Sequence, residues 1–321
     1  MLVRSLRVPP SLLLFILFCG FLGWHFSEAP LPNPAPPAAP RPPQPASPPA
    51  EHNPVPEKKK KHQEVLDASK PTPTAAKKPA PLSAKRPLRV ALVTFVTEER
   101  SYLHISLKSK DHYVRRHGYD LVVDYEAHTR ERGAVWWKFD MVRRLIKKDQ
   151  WDWIWWLDFD TLITNTDIKV ADIIQDTLNN ATNPDELDYL FSHDCNDLNL
   201  GSFVVRSHER SLKFLDDIYA IEASVKKQDK DAQLSEQDAI TKLMEQDPAS
   251  KKRTAVIPQW MINAFPDEIP CYEDPPRPWE HGFFLLHFAG AWAHVQGEDP
   301  TGQLMEKYKD EIIWGDWKEF Y

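Results

Sequence analysis

An α/β fold with a mainly parallel central sheet is predicted for residues 88–321 of this 321-residue chain. Short β-branched or aromatic apolar runs alternate there with amphipathic stretches of helical length. That strand–helix–strand order places parallel strands side by side, covered by helices. A second observation sets the boundary. Most of the 29 prolines fall in residues 30–87, a segment without apolar periodicity, so a packed core begins only after it.

Each element has a local reason. LRVALVTFVT (88–97) is β-branched and apolar and reads as a buried strand. SYLHISLKSKDHYVRRHGYD follows as a helix that stops at Gly118, and DLVVDYE is a second strand. VWWKFDMVRRLIKKD reads as a helix, with Trp137, Met141 and Leu145 at four-residue spacing. WDWIWWL (151–157) is the third strand. Beyond it, FSHDCNDLNLGSFVVRS reads as a polar loop followed by a strand. SEQDAITKLM is a helix start with Ser235 as N-cap, and VIPQWMINAFP is a strand and loop. GFFLLHFAGAWAH is a strand reaching His287 and then a glycine turn.

The third strand raises a chemical question, because WDWIWWLDFDTLIT ends its apolar run in Asp158 and Asp160. Positions i and i+2 of a strand face the same side, so both carboxylates would enter one small volume. Two like charges held that close need a cation between them. Mg²⁺ and Mn²⁺ favour oxygen ligands and are the natural candidates. A lone Asp-x-Asp triplet more often marks a solvated turn, but this one closes a buried strand, where α/β proteins place their sites. His287, alone on an apolar strand, reads first as a structural histidine; it is also a suitable third ligand beside two carboxylates. Gly201 and Ser202 read equally as a simple turn or as a close backbone approach to a ligand.

The N-terminal part has a different organisation. Arg4 and Arg7 precede an apolar run that reaches spanning length over residues 8–26. The expectation is a cytosolic tail (1–7), an uncleaved transmembrane signal-anchor (8–26), a Pro-rich disordered stem (27–87) and a lumenal domain (88–321); the rival is a signal peptide cleaved near Ser27-Glu28-Ala29, a poor small-x-small site. Residues 1–87 contain 12 Lys+Arg and 5 Asp+Glu, which leaves 28 and 42 for the rest, a net charge of −14 there. So acidic a domain argues against nucleic acid as a partner. No Gly-x-Gly-x-x-Gly or phosphate-loop signature is present to handle phosphate, and a metal would serve instead. Cys195 and Cys271, the two lumenal cysteines, either pair in an oxidising compartment or stand as free thiols. Asn180-Ala181-Thr182 is an acceptable glycosylation sequon.

Five blocks in order, WWLDFDTLITN, DLNLGSFVVRS, EQDAI, INAFP and LLHFAGAW, resemble the fungal Golgi galactosyl- and mannosyltransferases of glycosyltransferase family 34, a group that includes plant xyloglucan xylosyltransferases. The resemblance covers roughly residues 88–310. It implies a GT-A-type nucleotide-sugar-binding fold in a single-pass type II Golgi membrane protein with a lumenal catalytic domain. Asp158 and Asp160 would grip Mn²⁺ and the donor's ribose–diphosphate, with His287 as third metal ligand. Lys138 would contact the nucleotide end, and Asn199, Gly201 and Ser202 would line the donor sugar. Gln237 would lie near the reacting carbon, with Glu236 and Asp238 beside it. Some relatives carry a Cys and a Lys soon after HFAG, where the Lys meets the diphosphate; here Ala291-Trp292-Ala293-His294 stands, and His294 is the substitute on offer.

The implied activity is retaining α-transfer of a hexose to mannose-containing glycans, with mannose from GDP-mannose or galactose from UDP-galactose. INAFP and DLNLGSF lean to the mannosyl branch and HFAG to the galactosyl branch. Gln237 is a poor nucleophile, which favours same-face attack over double displacement. The rival reading is a non-catalytic subunit or lectin-like scaffold of a Golgi mannosyltransferase complex; a Golgi glycosyltransferase complex is also a partner to consider for an active enzyme. Trp260 and Trp292 are candidates for stacking on sugar rings, with core packing as the plainer alternative for each.

Overall fold

The computed structural model describes residues 86–126, 132–229, 232–316 and 318. The tail, the anchor expected over 8–26 and all but the last two residues of the stem lie outside them. Among the described residues no helix is long and apolar enough to cross a membrane.

The elements run in chain order β1 (Val90–Phe95), α1 (Leu103–His117), β2 (Asp120–Asp124), α2 (Trp137–Lys148), β3 (Trp153–Leu157), β4 (Thr161–Ile163), α3 (Val170–Asn179), β5 (Tyr189–Asp194), β6 (Asp197–Arg206), α4 (Glu209–Gln228), α5 (Glu236–Gln246), α6 (Pro248–Lys251), β7 (Thr254–Val256), α7 (Gln259–Ile262), β8 (Leu285–His287), α8 (Ala291–His294) and α9 (Pro300–Tyr308). A six-stranded sheet has the order β2-β1-β3-β6-β5-β7, and β4 pairs separately with β8. β1 pairs in parallel with β2 and β3, and β5 in parallel with β7. Among the described strands of the six-stranded sheet, β6 alone runs against both its neighbours, and the separate β4–β8 pair is antiparallel. The expectation of a mainly parallel α/β sheet therefore holds.

The reversed strand has a local cause. The segment expected as a polar loop, FSHDCND, is half strand: β5 continues through Asp194 and turns directly into β6 at Cys195-Asn196. A two-residue connection can only join antiparallel neighbours. Asp197 adopts φ 75° at this turn. Polar side chains hid the strand: Ser192 is fully buried in it, and its hydroxyl accepts from the Asn263 amide at 3.0 Å. VIPQWMINAFP also departs from expectation: the strand stops at Val256 and Gln259–Ile262 is one helical turn. Helices α3 and α4 add to the elements expected from the sequence.

The tryptophan crowding of β3 follows from burial on both faces. Ile154 and Trp156 enter the layer packed by Phe139, Val142 and Leu145 of α2 and Phe214 and Ile218 of α4. Trp153 and Trp155 enter the opposite layer with Tyr113 of α1 and Ile173 and Ile174 of α3. Truncating a ring buried like this to alanine costs roughly 3–5 kcal/mol. The expected caps also form. Gly118 ends α1 at φ 65°, its N–H bonded to the carbonyls of Val114 and Arg115. The Ser235 hydroxyl accepts from the Asp238 N–H at 3.0 Å to start α5.

Candidate active site

Asp158 and Asp160 lie just past the carboxyl end of β3, in the turn that leads into β4. They converge because of this turn, not through the strand alternation expected from the sequence, since β3 ends at Leu157. The Asp158 N–H donates to the Gly201 carbonyl at 2.7 Å, and the Asp158 carbonyl accepts from the Thr161 hydroxyl at 2.6 Å. β4 then pairs with β8 so that Thr161 stands opposite His287. The Phe288 N–H closes this pairing on the Asp160 carbonyl at 3.0 Å. Pairing of two three-residue strands thus brings a histidine from near the end of the chain to the aspartate turn.

One ligand atom from each of Asp158, Asp160 and His287 lies within 4.8 Å of the others. His287 Nε2 is 3.4 Å from Asp160 Oδ1. Two carboxylates and an imidazole so close form a donor set that suits Mn²⁺ or a similar dication, and the converging negative charge is relieved by one. Both carboxylates keep about 30% of their side-chain surface exposed, whereas His287 is buried. Desolvation pushes the Asp158 carboxyl above its ordinary range, against the pull of Lys138. Burial acts on Asp160 in the same sense, but its polar neighbours, His287 first and Lys110 after it, outweigh burial and hold this carboxyl low.

Lys138 on α2 is buried and reaches across β3. Its ammonium lies 3.6 Å from Asp158 Oδ1, 3.1 Å from Glu236 Oε1 and 3.3 Å from the Leu200 carbonyl. Burial works to lower this lysine's pKa, but the charges of Asp158 and Glu236 raise it above the usual value. Trp156 also donates to Asp158 Oδ1, at 2.6 Å. Gln237 sits beside this group in the first turn of α5, where its Oε1 accepts from the Leu200 N–H at 2.9 Å. Asp158, Lys138, Glu236 and Gln237 are therefore one contiguous set.

The other sequence candidates are placed differently. Asn199 is buried on β6, and its side chain bonds to Asp194, Gly201 and Asn263. Gly201 passes directly under the His287 ring. Ser202 is fully buried and its hydroxyl accepts from the Trp155 indole at 3.0 Å, on the core face away from Gly201. Asp238 is exposed, and only its backbone is engaged by the cap. His294 is exposed on α8, and Trp292 beside it is 78% exposed, so packing does not occupy that ring. Trp260 carries the Arg277 guanidinium 3.7 Å from its ring centre.

Residues that sequence reasoning passed over complete the cleft. A recess of about 220 Å³ opens between the aspartate turn and the carboxyl end of β1, lined in part by Thr97, Arg100, Tyr102 and Val135. Their signal was positional: they follow strand ends, where α/β folds bind ligands. Burial and the nearby Asp160 charge push the Tyr102 hydroxyl up to about 12. Lys110 of α1 is fully buried below the turn and donates to the Thr161 carbonyl at 2.9 Å. Burial pulls its pKa down to about 7, with Asp160 and Asp158 pulling the other way. Cys195 and Cys271 form a disulfide, which resolves the alternative left open by the sequence.

With this geometry in place, comparison with known proteins is informative. The galactosyl transferase GMA12/MNN10 family matches residues 90–297. An uncharacterized alpha-1,2-galactosyltransferase of Schizosaccharomyces pombe is 25% identical over 237 residues, covering 64% of this chain and 60% of that protein. A Saccharomyces cerevisiae protein named as a probable alpha-1,6-mannosyltransferase is 29% identical over 50% of this chain and 47% of its own length. An Arabidopsis thaliana protein named as a probable xyloglucan 6-xylosyltransferase is 33% identical over 36% of this chain and 25% of its own length. The chain thus spans about half to three-fifths of the two fungal relatives. Among solved structures, a glycosyltransferase involved in glycosylation of the major capsid of PBCV-1 aligns with 68% of this chain and 99% of its own, at 16% identity and a TM-score of 0.51, a likeness of fold.

Proposed function

The chain belongs to the galactosyl transferase GMA12/MNN10 family, and from that premise we propose that it is a metal-dependent, retaining α-hexosyltransferase. The donor is GDP-mannose or UDP-galactose and the acceptor a mannose-containing glycan. The observation that carries this reading is the convergence of Asp158, Asp160 and His287 within 4.8 Å at the mouth of the cleft. Those three residues would hold Mn²⁺. When bound, the cation supplies Lewis-acid stabilisation of the leaving diphosphate.

The chain's own groups have separate tasks. Lys138 fixes the Asp158 carboxylate from below and adds positive charge to the diphosphate side of the cleft. Glu236 holds Lys138 through the 3.1 Å ion pair, which leaves it poorly placed to act as a nucleophile. Gln237 faces the reacting carbon as a neutral dipole and stabilises positive charge that develops on the sugar ring. With no free carboxylate assigned there, the acceptor attacks from the face the diphosphate leaves, and its proton passes to the departing phosphate oxygen. Retention of the α-configuration follows.

The same proposal extends to the setting. An N-terminal anchor over residues 8–26, with the domain in the Golgi lumen, accounts for the arginines before the apolar run. The Cys195–Cys271 disulfide supports an oxidising compartment. The test is to incubate the detergent-solubilised chain with GDP-mannose and UDP-galactose, mannose-containing oligosaccharides, and either Mn²⁺ or EDTA. Transfer of one hexose in Mn²⁺, lost in EDTA and in Asp160→Asn, is expected. Undiminished transfer in EDTA would defeat the metal assignment, and no transfer from either donor would favour a scaffold role.

A further inference from the structure

A continuous line of hydrogen bonds runs from β5 to the ring of His287, and the identity of every atom along it can be deduced. The Asp194 carboxylate can only accept, so the Asn199 atom 2.7 Å from it is the Nδ2 donor. The backbone N–H of Gly201 can only donate, so the Asn199 atom 2.9 Å from it is Oδ1. These two anchors agree on one orientation of the Asn199 amide. Its oxygen also lies 2.8 Å from Asn263, so the Asn263 atom there is Nδ2. That atom also donates to the Ser192 hydroxyl at 3.0 Å. The Asn263 oxygen is thereby left facing His287 Nδ1 at 2.8 Å, and Nδ1 carries the proton.

We propose that Asn263, oriented by Asn199 and Asp194, is a positioning residue that fixes His287 in its Nδ1–H tautomer and so presents the Nε2 lone pair to the space between Asp158 and Asp160. This rests on the metal-dependent reading of the same site. A neutral imidazole can ligate a cation only through its unprotonated nitrogen, and the partner of the other nitrogen decides which one that is. Nε2 stands 3.4 Å from Asp160 Oδ1. A lone pair facing a carboxylate at that distance is repulsive unless a proton or a cation lies between them, so a neutral ring held this way by the amide line favours metal. Asn263, Asn199 and Ser192 are all buried, which excludes water as a competing partner for the ring. Asn199 acquires a role beside the one its motif implied. Its side-chain oxygen and one amide N–H are committed to this line, so it acts here through Asn263 and Gly201.

Three measurements test the assignment on the full chain in detergent. The ¹⁵N spectrum of the histidine-labelled, metal-free protein reports the tautomer directly; His287 protonated at Nδ1 is expected, and an Nε2–H ring overturns the proposal. Mn²⁺ affinity, read from the electron paramagnetic resonance signal of the free ion, should fall by about 10-fold or more in Asn263→Leu, as outer-shell losses typically do. Asn263→Asp loses the same donors to Ser192 and Asn199 but keeps an oxygen facing Nδ1. It should bind Mn²⁺ within a few-fold of the native chain, with a melting temperature close to that of Asn263→Leu. Native-like affinity in Asn263→Leu, or equal weakening in both variants, would count against the proposal. If the leucine variant does not fold, the native spectrum alone decides. Absence of Mn²⁺ binding by the native chain would sink the metal reading, while the spectrum still judges the tautomer.

Discussion

Gly201 and His287 are in van der Waals contact: a methyl group built on Gly201 would fall 2.0 Å from Cε1 and 2.5 Å from Nδ1 of the ring. No special backbone conformation demands glycine here, so the requirement is purely one of space. Gly201→Ala must displace a ring held on one side by Asn263 and on the other by the β4–β8 pairing. We expect Mn²⁺-stimulated transfer to fall at least about 10-fold, with a stability loss of about 1–3 kcal/mol typical of overpacking. Kinetics at several Mn²⁺ concentrations would read the effect as weaker metal use; unchanged kinetics would show that the ring can move freely.

Lys110 offers a test with a pH signature. Its pKa near 7 in the folded chain lies well below the usual lysine value, because burial disfavours the ammonium. Between about pH 7 and pH 10 the unfolded chain holds a proton on this residue that the folded chain has released, so stability rises with pH across that window. Below about pH 7 the full cost of burying the charge is borne. Lys110→Met removes the charge at similar volume. Denaturant unfolding in EDTA should find this variant at least as stable as the native chain at pH 7, with the rise towards pH 10 flattened. A rise of the same size in the variant would remove Lys110 as its source.

Gln237 keeps its Oε1 on the Leu200 N–H at 2.9 Å, which orients the amide without using a charged group. Gln237→Ala should slow transfer by about 10² to 10³, the usual cost of one preorganised polar contact. The α-configuration should be retained and donor affinity little changed. Gln237→Glu places a carboxylate at the same point, and intact-mass measurement should then detect a trapped adduct of one hexose. A covalent hexose on Glu236 or Asp238 of the native chain would require double displacement instead.

The Cys195–Cys271 bridge closes a sequence separation of 76 residues and joins the β5–β6 turn to the loop after α7. Chain-entropy arguments assign about 4.5 kcal/mol to a loop of that length. Reduction, or Cys271→Ser, should lower the denaturation midpoint accordingly. Asp194, which anchors the amide line to His287, is the neighbour of Cys195, so Mn²⁺ affinity should weaken as well. Full retention of stability after verified reduction would mean that the hairpin is held by its ladder alone.

The sequence by itself determined the local structure and the chemistry on offer. β-branched runs, the glycine after α1 and Ser235 before α5 specify their elements through interactions within a few residues of each other. The aspartate pair, and the expectation that it holds a cation, were likewise legible, because the two residues are separated by a single position. The blocks INAFP and LLHFAGAW marked the right segments, but not which atom of Asn263 meets which atom of His287.

Only the tertiary structure decided which distant residues meet. Glu236 reaches Lys138 across 98 positions, and Asn263 reaches Asn199 across 64. Lys110 has the spacing of any lysine on an amphipathic helix, yet the packing of α1 against β4 buries it completely. Ser202, beside Gly201 in the motif, faces the opposite layer because neighbouring residues of a strand point to opposite sides. Local propensity is a matter of adjacent residues. Register and side-chain partnership are settled by the summed burial of whole faces, which no single stretch of sequence contains.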